Sequence, residues 1–157
     1  MTHPTAEFKL VPMRETAAPQ TRPQGDTPEA IADYWRAQVE TSPNYSHTTE
    51  QAAVIMLNTR RRITGHVIAA TGTLDTILIH PREIYHAAIL ANAAAIVLAH
   101  NHPSGDAQPS EADIKVTRDL IRAGQLLKIE MLDSVVIGHR AAAQPFVSLR
   151  AAGYFYS

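Results

Sequence analysis

Two short, uninterrupted apolar runs constrain the fold most: Ala52-Ala53-Val54-Ile55-Met56-Leu57 and Ala94-Ala95-Ile96-Val97-Leu98-Ala99. Each has the length of a strand, and neither alternates with polar residues. Strands of that kind are covered on both faces. Helices must supply the cover. The pattern predicts one over Pro28 to about Glu40, where Thr27 caps and Pro28 takes the first helical position. A second is expected from Pro81 to about Asn92, and a third from Ser110 to Ala123, stopped by Gly124. Further strands are expected at Ile63 to Ala70 after the turn Asn58 to Arg62, at Leu74 to Ile79, within Leu126 to Ile137, and at Phe146 to Leu149. Strands interleaved with covering helices define an α/β or α+β sandwich, a mixed sheet between helical layers.

A chain of 157 residues supports one core of this kind and is too short for two ordinary domains. Residues 1–28 hold prolines 4, 12, 19, 23 and 28 among scattered Thr, Gln and Ala, and read as a disordered leader. Residues 29–157 read as the domain. Lys plus Arg is 14 against 15 for Asp plus Glu, so no broad positive field attracts a polyphosphate backbone, which counts against dedicated nucleic-acid binding. The apolar stretch near Ala87 to Ala99 is broken by Asn92 and too short to span a bilayer, and no basic-then-apolar signal opens the chain. The expected location is the cytoplasm.

Chemistry concentrates at the end of the second apolar run. His100-Asn101-His102-Pro103 is followed by Ser110 and Asp113, placing two imidazoles, a hydroxyl and a carboxylate within fourteen residues. Two histidines and one carboxylate, with one coordination position left open, describe a hydrolytic zinc site rather than a structural one. The chain has no cysteine, so imidazole and oxygen are the donors on offer. His100 and His102, two apart at the exit of an extended segment, share one face, while Asn101 points to the other. Ser110-x-x-Asp113 is also a capping-box pattern, in which each residue satisfies the other's backbone. The two readings of Asp113 are compatible, because a helix N-terminus favours the ionised carboxylate that a metal requires.

The pattern His-x-His-Pro, six residues, Ser, two residues, Asp resembles the JAMM signature of JAB/MPN metallopeptidases. The words His80-Pro81-Arg82-Glu83, His100 to Gly105 and Pro109-Ser110 are similar to the bacterial RadC branch. The likeness covers roughly Glu50 to Ser148. It implies an MPN/JAB-like mixed sheet sandwiched by helices, with cytidine-deaminase-like layering. It also implies one zinc ion on His100, His102 and Asp113, Glu50 as general base and Ser110 as a donor to the developing oxyanion. The implied activity is hydrolysis of peptide or isopeptide bonds, with a peptide or protein as substrate. A non-catalytic MPN scaffold binding protein partners, or a DNA-repair-associated factor, are the alternatives. Glu83 competes with Glu50 for the base by charge alone, yet it fits an acidic first helical turn. Arg60 to Arg62 read as a solvated turn, and Tyr34 and Trp35 as anchors to the core. His66, His80, His86 and His139 lack ligand spacing to one another. Full-length RadC-like proteins carry a helix-hairpin-helix region where this chain has its leader. The family's late Asp-His is Asp133-Ser134 here, and Asn58 stands where a strand end usually carries Asp.

Overall fold

The computed structural model describes residues 5–7, 9, 11–15, 19–72 and 79–156. Five strands form one mixed sheet in the order β2-β1-β3-β4-β5. They are β1 (Glu50–Leu57), β2 (Ile63–Gly72), β3 (Ala95–Asn101), β4 (Glu130–Ile137) and β5 (Phe146–Ser148). Three helices cover it: α1 (Pro28–Tyr34, continued by a π-helical turn over Trp35–Val39), α2 (Pro81–Leu90) and α3 (Glu111–Leu127). β3 and β4 run parallel, and a parallel pair needs a long crossover, which α3 provides. None of the described helices is long and apolar enough to cross a membrane.

The two apolar runs become β1 and β3, which pair antiparallel at the centre of the sheet with every residue buried. Their odd-numbered residues (Ala53, Ile55, Leu57, Ala95, Val97, Ala99) pack against Ile31, Ala32, Trp35 and Val39 of the first helical layer. Their even-numbered residues (Ala52, Val54, Met56, Ile96, Leu98) pack against Ile84 and Ala88 of α2 and Leu120 of α3. The absence of alternation in the sequence is thus accounted for by cover on both sides. Face assignment then follows from parity. Glu50, His100 and His102 are even, and they project to the side occupied by α3.

Several boundaries differ from the sequence expectation. α3 passes through Gly124 and ends at Leu127, with Lys128 in the left-handed region (φ 58) donating its backbone N–H to the Gly124 carbonyl. Gly124 is needed for close approach instead. A Cβ there would lie 2.5 Å from the Ile129 carbonyl oxygen and would also strike the Tyr85 hydroxyl, itself bound to Leu120 O at 2.7 Å. Gly124→Ala is expected to cost about 1–3 kcal/mol through overpacking, seen as a lower denaturation midpoint. Within Leu126 to Ile137 a single strand forms, and it begins at Glu130. The strand expected at Leu74 to Ile79 falls outside the described residues, apart from Ile79, which lies in no strand.

The end of the leader is ordered against the sheet. Ile63 N donates to Pro23 O and Gly25 N donates to Arg61 O, each at 2.9 Å, while the Arg62 guanidinium donates to Arg22 O at 2.8 Å. Backbone pairing to the edge strand β2 stabilises residues whose composition alone offers little apolar surface to bury. Asn58 accepts from the N–H groups of Arg60 and Arg62 at 3.0 Å and so shapes the β1–β2 turn. Arg61 pairs with Glu130 at 2.6 Å across that end of the sheet. Asp133 is a buried carboxylate that accepts from the Ser148 hydroxyl (2.6 Å) and from the Ser134 and Arg150 backbone N–H groups (2.7 and 3.1 Å). It ties β4 to the turn after β5, and burial still pushes its carboxyl up from the ordinary value. Tyr34, half-buried on α1, reaches β2, with its hydroxyl 2.8 Å from His66 Nδ1.

Candidate metal centre

Three elements meet at one end of the sheet. β1 begins with Glu50, β3 ends with His100 and Asn101, and α3 opens directly after its Ser110 cap with Asp113 in the first turn. Such crevices outside the carboxyl ends of parallel strands are where α/β sheets gather ligand groups. Glu50, His100, His102 and Asp113 each offer one donor atom here, and the four atoms lie within 4.8 Å of one another. Glu50, His100 and Asp113 are 3–4% exposed, and His102 is half-buried at the rim.

The distances separate three of these residues from the fourth. His100 Nε2 and His102 Nε2 are 3.3 Å apart; His100 Nε2 is 3.1 Å from Asp113 Oδ1, and His102 Nε2 is 3.3 Å from Asp113 Oδ2. A tetrahedral ion with arms of 2.0–2.1 Å has ligand–ligand edges of about 3.3 Å. Glu50 Oε1 stands farther off, 3.8 Å from His100 Nε2. That places its carboxylate beside the cluster rather than on an equivalent edge.

Hydrogen-bond chemistry points the same way. His102 Nδ1 lies 2.9 Å from the Asp106 carbonyl, which only accepts, so Nδ1 carries the proton. The neutral ring then turns a bare Nε2 lone pair towards the Asp113 carboxylate and the other imidazole. Such an arrangement calls for a cation, and an outer hydrogen bond that fixes the tautomer is typical of metal-ligating histidines. A proton can serve in place of a metal ion. Burial pushes His102 down, but the hydrogen bonds to Asp113 and Asp106 and the charges of Asp113 and Glu50 outweigh it, for a net rise. Burial likewise pushes Asp113 up, but its bonds with His100, His102 and Ser110 N hold the carboxyl well below the usual range. Proton and metal compete for one lone pair. Metal affinity is therefore expected to fall as pH drops through the raised His102 value, by about tenfold per pH unit below it. Chelator-competition titrations between pH 8 and 6 would check this.

The capping reading of Asp113 holds together with the cluster. Ser110 Oγ accepts from Asp113 N at 3.1 Å, and Asp113 Oδ2 accepts from Ser110 N at 2.8 Å. The cap aims the carboxylate while the helix N-terminus favours its charge. Ser110 Oγ, having accepted one bond, keeps its own proton to donate. Glu83 sits in the first turn of α2 and is not part of the cluster.

Asn101 lies on the opposite face, as its spacing implies, and its partners come from β1 and the residue before that strand. Its side-chain amide donates to Thr49 O at 3.0 Å and accepts from Gln51 N at 2.8 Å, bracketing Glu50 on both sides. An Asn between the two histidines of the cluster is the available signal.

Comparison with known proteins agrees with this geometry. The family described as RadC-like JAB domain matches residues 26–154. A UPF0758 protein of Chlorobaculum parvum is 52% identical over 90 residues, covering 57% of this chain and 40% of its own length. One from Symbiobacterium thermophilum is 39% identical over 127 residues, covering 80% and 52% respectively. Another from Staphylococcus carnosus is 38% identical over 130 residues, covering 82% and 53%. The chain thus spans about half the length, or less, of these relatives. With its sheet, its crossover helix and its four convergent donors described, the chain belongs to the RadC-like JAB domain family.

Proposed function

We propose that the chain is a mononuclear zinc hydrolase acting on peptide or isopeptide bonds. The observation that carries this reading is the His100–His102–Asp113 cluster, in which the two imidazole nitrogens face each other and each faces one oxygen of Asp113, with the Glu50 carboxylate set just outside it. The donor set suits zinc and several other divalent ions. When bound, such an ion polarises the scissile carbonyl and lowers the pKa of water to about 7. The protein supplies the rest. Glu50 takes a proton from the attacking water as its oxygen bonds to the carbonyl carbon. It returns that proton to the leaving nitrogen as the C–N bond breaks. The Ser110 hydroxyl donates to the oxygen that gathers negative charge.

Elemental analysis of purified protein, alongside cleavage assays on linear and isopeptide-linked substrate libraries, tests the proposal. One equivalent of zinc with turnover is the expected result. Bound metal with no cleavage of either library would instead favour a binding scaffold.

A further inference from the structure

We propose that Asn101 is a positioning residue that holds the Glu50 carboxylate in register with the histidine cluster; the inference rests on the hydrolase reading above. The β1–β3 ladder ends at the pair Ala52–His100. Beyond it β3 follows β4 instead: Asn101 pairs with Ile137, and His102 N donates to Ile137 O at 3.0 Å. On the β3 side, the start of β1 would therefore lack a ladder partner where Glu50 needs a fixed place. The Asn101 side chain spans that gap. Its Nδ2 donates to Thr49 O and its Oδ1 accepts from Gln51 N, so one planar amide stands in for a backbone peptide.

The Gln51 bond is shielded from water, since Asn101 is 4% and Gln51 5% exposed, and the Thr49 bond is part-buried. Asn101 is also covalently joined to both histidines. The base and two of the proposed ligands are thus tied to a single tripeptide, so a shift of one carries the other with it. A displacement of about 1 Å between base and reacting atoms can cost about 100-fold in rate. Asparagine suits the position because it is short and offers one donor and one acceptor in a plane. Leucine offers neither, and aspartate only the acceptor.

The test compares Asn101→Leu and Asn101→Asp with the unsubstituted full chain loaded with zinc. Metal content should stay at one equivalent in both, because no proposed ligand changes. In Asn101→Leu the Gln51 amide should exchange at least about tenfold faster, and kcat should fall about 10- to 100-fold with little change in KM. In a Glu50→Gln background, Asn101→Leu should remove no further turnover, which a merely structural role would not produce. Asn101→Asp keeps the Gln51 acceptor and the shape, so it guards against a misfolded Leu variant. Its Gln51 amide should stay protected while kcat drops by a smaller factor. Unchanged Gln51 exchange or full kcat in Asn101→Leu, or an undiminished additional loss in the Glu50→Gln background, would overturn the proposal. Should the zinc-loaded unsubstituted chain cleave nothing, the hydrolase reading fails, and Gln51 exchange alone decides whether Asn101 anchors the strand.

Discussion

Glu50→Gln is expected to retain one zinc per chain and to lose about 100- to 10,000-fold in kcat, the range a positioned general base contributes. The geometry separates the two properties. Glu50 Oε1 lies 3.8 Å from the nearest imidazole nitrogen, whereas the other three residues approach one another at 3.1–3.3 Å. The amide preserves size and can still accept a hydrogen bond, but it does not take up a proton at neutral pH. Loss of turnover at full metal occupancy, with an unchanged melting temperature, is the signature to measure. Parallel loss of metal would make Glu50 a fourth ligand and leave the reaction without an assigned base.

Asp113→Asn and His102→Ala are expected to weaken metal binding by more than about 100-fold, since even changes outside the ligand shell cost 10- to 100-fold. The consequence extends to stability. An ion at 100 times its dissociation constant adds about 2.7 kcal/mol to the folded state, or about 5–10 °C in midpoint for a chain of this size. That increment should appear in the unsubstituted protein on adding zinc and vanish in both variants. Asp113→Asn also separates the two duties of this side chain. Asparagine still accepts from Ser110 N, so the helix cap survives while the charge is lost. Ser110→Ala does the reverse, removing a cap worth about 1 kcal/mol while leaving every proposed ligand in place. If Asp113→Asn keeps the zinc-dependent increment, the carboxylate is a cap and not a ligand.

Much of the fold was legible because it is local. Unbroken apolar runs gave β1 and β3, Thr27-Pro28 gave the start of α1, and the Ser110-x-x-Asp113 box gave the start of α3. The misplaced boundaries all depended on distant partners. Gly124 resembled a helix stop, but its bare Cα is required by Tyr85 and Ile129. Residues 22–25 look too polar to order, yet the β1–β2 turn and the first residue of β2 supply their hydrogen bonds. Asn58 and the pair Asp133-Ser134 depart from the family pattern without revealing why; Asn58 accepts from two backbone N–H groups of its turn, and Asp133 from one in β4 and one in the turn after β5.

The sequence by itself determined the donor types and their parity. Residues two apart on a strand share a face, and a carboxylate one turn into a capped helix is aimed by its own cap. Those relations follow from backbone geometry within a few residues. Only the tertiary structure decided that β1 delivers Glu50, fifty residues before His100, to the same few ångströms, and that Asn101 bonds to the residues on either side of it. The register between two strands is set by burial and ladder bonding across the whole sheet, a long-range balance that no local spacing records.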